Sequence, residues 1–391
     1  METKTYRLGD VLINYDYLRK PLSSMERESF KGEYPYYGAQ GIIDYVKDYL
    51  CDGEYMLIAE DGENLSSRKE PIANIALGKF WVNNHAHIVK TNELADFKYV
   101  YYLLNYSDIT GYVTGSAQPK LSQGNLNKIK IQLPPLPTQH RIASILSTYD
   151  ALIQNYKRQI AALQSAASEL YKEWFVRFRF PGYKNAKFDN GLPEGWKVAR
   201  IGEYVKIKSG FAFKSEWWQN EGCPVVKIKD IDNGEVDTTN FDYVSEEFAK
   251  KAKDFLLKEG DLVIAMTGAT IGKIGIVPKI EKLYTNQRVG KFFLGNEPYK
   301  KMPLLYCLFS QQSTIETINC LSGASSAQPN ISPDQLESIK FFYNTEIVSE
   351  FNNKCEPIFK KINQLRQQIT NLTTQRDLLL PRLMSGKLSV E

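Results

Sequence analysis

The sequence predicts an α+β protein with two mixed, strand-rich globular segments separated by two long helices. The helices pair as an antiparallel coiled coil, and the halves are related by a pseudo-two-fold internal repeat. Three observations carry this. Between Gln139 and Arg177 the apolar residues Ile142, Ile145, Tyr149, Leu152, Tyr156, Ile160, Leu163, Ala167, Leu170 and Trp174 recur at steps of three or four, which is one continuous stripe on a helix. At the α-helical rise, about 38 residues span roughly 57 Å, too long a stripe to stay wet without a partner. The same rhythm returns from Val348 to Leu383, in Phe351, Cys355, Ile358, Ile362, Leu365, Ile369, Leu372, Leu379 and Leu383. An offset of 209 places Ile153 on Ile362, Tyr156 on Leu365 and Trp174 on Leu383, so the stripes share a register. Arg376 opposite Ala167 is the one clear mismatch.

The third observation is that the globular segments echo one another. Arg7-Leu8-Gly9-Asp10 recurs as Arg200-Ile201-Gly202-Glu203, and Leu57 to Gly62 recurs as Val263 to Gly268. Asn84 falls near Asn286, and Ser116-Ala-Gln-Pro-Lys-Leu121 recurs as Ser326-Ala-Gln-Pro-Asn-Ile331. The chain therefore divides into a first globule (1–137), a first long helix (138–180), a linker (181–195), a second globule (196–345) and a second long helix (346–391).

In chain order, the first globule predicts short strands at Tyr55–Ala59, Pro71–Ala76, Phe80–Val82 and His85–Val89, bounded by Gly and Asn turns. A short helix follows over Phe97–Leu104, then a strand at Ile129–Ile131. Leu133-Pro-Pro-Leu-Pro137 reads as extended, with Thr138 capping the first long helix. Turn residues from Phe180 to Gly195 form the linker. The second globule predicts strands at Val225–Ile228, Leu262–Ala265, Ile274–Val277 and Lys291–Leu294, with a helix over Leu304–Gln311. The last helix starts near Glu346, is bent or ended by Pro381, and closes at Gly386, which suits a left-handed cap. The helix-pairing or partner-binding positions are Tyr149, Ile153, Tyr156, Ile160, Leu163, Leu170 and Trp174 on the first helix. On the second they are Ile358, Ile362, Leu365, Ile369, Leu372 and Leu379.

A net charge of +4 permits nucleic-acid binding without demanding it. Five cysteines, odd in number and never spaced Cys-x-x-Cys, argue for a reducing compartment and against structural zinc. The amino-terminal residues lack an apolar signal core and no run reaches membrane-spanning length, so a cytoplasmic protein is expected.

Candidate chemistry is sparse. His85 and His87 lack a third metal ligand, and Gly268-Ala-Thr-Ile-Gly-Lys273 is one spacer short of a phosphate loop. Glu60, Asp61 and Glu63 form an acidic cluster whose counterpart at Met266-Thr267-Gly268 has no carboxylate, so a solvated loop is the better reading. No catalytic residue and no metal or cofactor site is expected in this chain. The recurring loops are more informative, because Ser, Gln, Asn and Lys side chains can donate to phosphates or read base edges. The candidate nucleic-acid contacts are Ser116, Gln118 and Lys120 in the first half. In the second half they are Thr270, Lys273, Asn286, Gln287, Arg288, Ser325, Ser326, Gln328 and Asn330.

With the repeat in hand, the chain resembles the specificity subunit of Type I restriction–modification enzymes. The resemblance rests on Leu133-Pro-Pro-Leu-Pro-Thr-Gln-His-Arg-Ile-Ala-Ser-Ile-Leu146, Gly191-Leu-Pro-Glu-Gly-Trp-Lys197, Thr267 to Lys273, Thr285-Asn-Gln-Arg288 and the two Gln-Pro loops. It implies that each globule is a target-recognition domain reading one half of a split duplex DNA sequence. It implies also that the helices set an unread spacer and dock two methyltransferase subunits, and that motor–nuclease subunits join the complex. S-adenosylmethionine is then expected in the partner methyltransferase, not in this chain. The competing readings are a nuclease using Glu60, Asp61 and Glu63, and a coiled-coil scaffold without sequence-specific DNA binding.

Overall fold

The computed structural model describes residues 2–115, 118–323 and 329–390. Ser116, Ser325, Ser326 and Gln328 among the candidate contacts lie outside them. Two compact units emerge, Met1–Ile153 with Leu372–Glu391, and Gln154–Asn371. Each long helix, Leu136–Tyr171 and Thr345–Met384, thus contributes one segment to each unit.

In the first unit six strands form a sheet in the order Leu12–Asn14, Ala86–Thr91, Cys51–Ala59, Ala73–Val82, Lys31–Gly38, Gly41–Val46. The pairing is antiparallel except where Tyr36 and Tyr37 run beside Trp81 and Val82. The predicted strands at 71–76 and 80–82 are one strand, Ala73–Val82. Gly78 faces Gly53 across the ladder, both at positive φ, and the pairing continues through them without a register shift. The segment entering the unit, Lys4–Arg7, pairs antiparallel with Lys130–Leu133, immediately before the first long helix. Met56, Ile58, Leu103, Leu104, Ile142 and Leu146 share a core with Leu383 from the second long helix.

The second unit repeats this plan. Lys197–Arg200 pairs antiparallel with Lys340–Tyr343, just before the second long helix. The Leu8 N–H donates to Ile129 O at 2.7 Å, and Ile201 N–H donates to Ile339 O at 2.9 Å. Its six-stranded sheet runs Ile207–Ser209, Val289–Phe292, Leu262–Ala265, Ile274–Ile276, Gly234–Val236, Ile231–Asp232. A four-stranded sheet, Trp218–Gln219, Asp242–Val244, Cys223–Val226, Tyr284–Thr285, is additional. The helix Met302–Phe309 is followed by a second, Gln312–Leu321, which the sequence reading did not predict.

The first long helix starts at Leu136, two residues before the expected cap. Pro137 lies in its first turn, where no intrahelical N–H is needed, and Thr138 and Gln139 donate to Pro135 O. The second runs through Pro381 to Met384, because that proline is solvent-facing and close to the end; Gly386 then adopts φ 70°. Within each unit the two helix segments are antiparallel. In the first unit Asp150 meets Arg376 and Arg141 reaches Val390; in the second Tyr171 meets Phe351.

The apolar stripe is only partly covered. Ile153, Trp174, Ile362 and Leu365 are buried, and Tyr149, Tyr156, Ile160, Leu163, Leu170, Ile358, Ile369, Leu372 and Leu379 are half-buried. Ile145 and Leu152 face solvent, while their neighbours Leu146 and Ile153 turn inward. Arg376, the mismatch in the stripe, ion-pairs with Asp150 at 2.6 Å, and Asp150 also accepts the Tyr102 hydroxyl. In the second unit the 209-residue register puts Phe359 where Asp150 stands, and its ring packs on Tyr306 at 4.9 Å. The same layer is thus polar in one unit and aromatic in the other.

Asp230, at the entry to the hairpin 231–236, is buried and accepts the Lys227 N–H at 2.8 Å. Burial pushes its carboxyl up to about 6. The folded state therefore retains a proton between pH about 4 and about 6 that the unfolded chain has released. The stabilising contribution is complete below that window and lost as pH rises through it. Asp230→Asn is expected to remove this loss, so its urea midpoint should gain on wild type between pH 4 and 6.

Candidate nucleic-acid interface

At one end of each six-stranded sheet the chain builds the same rim. In the first unit the strand Cys51–Ala59 runs into Glu60-Asp61-Gly62, and the segment 119–121 returns along it. Gly62 N–H donates to Pro119 O at 3.2 Å and Leu121 N–H to Glu60 O at 2.7 Å. In the second unit Gly268 N–H donates to Pro329 O and Ile331 N–H to Met266 O, both at 3.0 Å. Asp61 bridges Lys120 as Thr267 bridges Asn330. Both glycines have positive φ, and a Cβ at Gly62 would meet Asn64 Oδ1 at 2.8 Å, so a side chain would strain the turn.

A third strand completes each rim. Glu60 N–H donates to His85 O at 2.9 Å, and Met266 N–H to Arg288 O at 3.0 Å. Asn83 Oδ1 accepts the His85 N–H, as Asn286 Oδ1 accepts that of Arg288. Asn83, and not Asn84, is therefore the counterpart of Asn286. His85 and Arg288 occupy one position, which side-chain similarity could not reveal; the aligned triplets Asn83-Asn84-His85 and Asn286-Gln287-Arg288 were the available signal.

The two rims differ in charge. In the first unit Glu60 lies 2.5 Å from Arg19 Nη1, 3.4 Å from Lys120 Nζ and 3.9 Å from His87 Nδ1. Burial alone would raise its carboxyl, but the bond from Arg19 and the charges of His87 and Lys120 hold it below the usual range. His87 is 1% exposed, with Nδ1 2.7 Å from Asp16 Oδ2 and Nε2 3.0 Å from Leu121 O. Arg19, Asp16 and His87 thus bolt down the base of the returning segment and leave Lys120, 54% exposed, at its edge. Gln118 is exposed beside it. His85 faces solvent and pairs with Asp61 at 2.7 Å. The carboxylates of Glu60 and Asp61 are therefore engaged with basic partners, and no group of three or more His, Cys, Asp or Glu among the described residues is placed to hold a metal.

The second rim carries no carboxylate at the matching positions. Gln287, Arg288 and Asn330 are exposed along it, while Asn286 is half-buried and spends its carbonyl on the turn. Thr270 and Lys273 lie on the adjoining turn, tied to the strand by Gly272 N–H to Ala265 O and Ala265 N–H to Lys273 O. The hydroxyls of Thr267 and Thr270 have no hydrogen-bond partner among the described residues. Lys273 Nζ sits 2.6 Å from Asp232 Oδ1. That aspartate belongs to the hairpin 231–236, which Arg366 of the second long helix grips. Arg366, 8% exposed, places Nη1 3.1 Å from Gly234 O and Nη2 3.4 Å from Asn233 O. Its Nε is 2.6 Å from Glu235 Oε2, an ion-pair contact outside hydrogen-bond geometry. No helix among the described residues is long and apolar enough to cross a membrane.

Two rims of one backbone design and different side chains suit a duplicated recognition function, and comparison with known proteins agrees. The family model for the Type I restriction modification DNA specificity domain matches residues 1–165 and again 193–343. The MjaVIII Type I restriction enzyme specificity subunit of Methanocaldococcus jannaschii is 28% identical, covering 98% of this chain and 92% of the relative. A putative specificity subunit of Haemophilus influenzae is 33% identical over 65% of this chain and 63% of its own length. The crystal structure of a Type I system S subunit from M. genitalium shares the fold, with a TM-score of 0.62 at 16% identity over 98% of this chain and 96% of that one. Duplicated rims, duplicated family matches and the paired long helices lead to one conclusion: this chain belongs to the Type I restriction–modification specificity subunit family.

Proposed function

We propose that the chain is the DNA-reading, non-catalytic subunit of a Type I restriction–modification complex. Each globule reads one half of a bipartite duplex target, the bases between the halves go unread, and the half-sites differ in sequence. The long helices dock two methyltransferase subunits, which hold the S-adenosylmethionine, and motor–nuclease subunits complete the assembly. The observation that supports this most is the pair of rims, in which one backbone frame presents unlike side chains: Asp61 against Thr267, His85 against Arg288, Lys120 against Asn330. Conserved backbone with divergent tips is what two readers of different sequences require, because base edges are distinguished by side-chain donors and acceptors.

The test is methylome sequencing of cells expressing the complex with and without this chain, and with residues 196–343 replaced by the same region of a relative. The expected result is methylation at a split site that depends on the chain, with one half-site changed by the replacement. Methylation unaffected by the chain, or both half-sites altered by the exchange, would contradict it.

A further inference from the structure

The second rim does not account for an aromatic and lysine cluster that starts from it. Phe211 bridges Asn286, and its N–H donates to Thr285 O at 2.9 Å, so the segment that follows leaves directly from the rim. The Phe211 ring lies nearly parallel to Trp217, with centroids 6.4 Å apart and planes at 15°. On Trp217, in turn, Phe248 stacks at 4.4 Å and 4°. All three rings are half-buried. Over Trp217 stand two exposed lysines, Lys251 with Nζ 4.9 Å from the ring centre and Lys214 at 5.6 Å.

Ordinary packing explains part of this surface but not its charges. Lys227, over Trp218 at 3.6 Å, is held at 3.1 Å by Asp242, which also holds Lys229 at 2.9 Å, so both ammonium groups are tied to a carboxylate and read as structural. Lys251 has no carboxylate within ion-pair distance among the described residues, and Lys214 has only Glu216 at 4.0 Å. An ammonium resting on an indole face keeps its charge while losing rotamer freedom in advance, so less is lost when an anion arrives. The first unit places aromatics at the same point of its topology, after its own edge strand, where Tyr17 is 78% exposed and Tyr15 lies 6.1 Å from it. The cation there, Arg19, is spent on Asp16 and Glu60, so lysines left without a close carboxylate at this point are a feature of the second unit.

We propose that Lys214 and Lys251, held by the Phe211–Trp217–Phe248 stack, form a clamp for the phosphate backbone of duplex DNA beside the second rim. The clamp contacts no base edge; it fixes the register in which the rim meets the bases. This rests on the DNA-reading role above.

The test measures binding of the full chain to a mixed-sequence duplex by fluorescence anisotropy, from about 50 to about 200 mM salt. Removing two phosphate contacts in Lys214→Ala/Lys251→Ala should lower the slope of log K against log salt by about 1.8 units. Lys227→Ala, which removes an ammonium held by Asp242 within the fold, should leave the slope as in wild type. A double variant with the wild-type slope overturns the clamp alone, and a drop as large in Lys227→Ala overturns its assignment to these two lysines. Wild type without salt-dependent binding overturns the clamp together with the DNA-reading role.

Discussion

Replacing Phe351 with alanine should lower the unfolding free energy of the second unit by about 3–5 kcal/mol. The side chain is 0% exposed and its ring meets Tyr171, Trp174 and Phe175 at centroid distances of 6.1, 5.8 and 5.3 Å. Those partners lie at the end of the first long helix, so Phe351 joins the two helix segments where the second globule is attached. Truncation loses the transfer energy of a buried ring and leaves a void that bulky neighbours in fixed rotamers fill poorly. The measurement is urea unfolding followed by tryptophan fluorescence, which reports here because Trp174 and Trp196 belong to the same cluster. The midpoint should fall with the slope unchanged. Leu378→Ala is the control: that leucine is exposed on the same helix, in the segment that belongs to the first unit, so the transition of the second unit should stay within about 0.5 kcal/mol of wild type. A Phe351→Ala midpoint equal to that of the control would refute the assignment.

Arg366→Met should cost about 2–3 kcal/mol, and the loss should reach the rim. Methionine keeps much of the apolar stem but abandons the carbonyls of Asn233 and Gly234 and the carboxylate of Glu235. Glu235 can turn to solvent, which keeps the cost below that of a fully buried pair. Lysine should recover less than half, because one ammonium cannot reproduce the planar fork that grips two successive carbonyls. Loosening the hairpin frees Asp232, the partner of Lys273. A double-mutant cycle between Arg366→Met and Lys273→Ala, read as DNA affinity, should therefore show coupling above about 0.5 kcal/mol. Strict additivity would confine Arg366 to stability and remove it from the recognition surface.

The features legible in the sequence are those written in local or repeated patterns. The two long helices follow from a three-and-four periodicity, and the strand Leu262–Ala265 from a short apolar run between turns. The recurring loops of the rims were legible because Leu57 to Gly62 repeats as Val263 to Gly268, and because Gln-Pro, one polar residue and then an apolar one mark both returning segments. Boundaries were less legible. Gly78 looked like the end of a strand, and only its register against Gly53 shows that the ladder continues. Pro381 looked like a terminator, and only its exposure near the helix end shows why it is tolerated.

Periodicity and repetition are properties of a chain read along its length, so the sequence by itself determined the α+β plan, the two helices and the duplication. Which charges meet is a property of folded space. Glu60 gathers Arg19, His87 and Lys120 from positions 41, 27 and 60 residues away, and Arg366 grips a hairpin more than 130 residues before it. Arg376 broke the apolar stripe as read from the sequence, yet the fold supplies Asp150 and makes the pair part of the helix packing. Such contacts were decided by tertiary structure alone, because electrostatic partners are chosen by distance through space and leave no period in the chain.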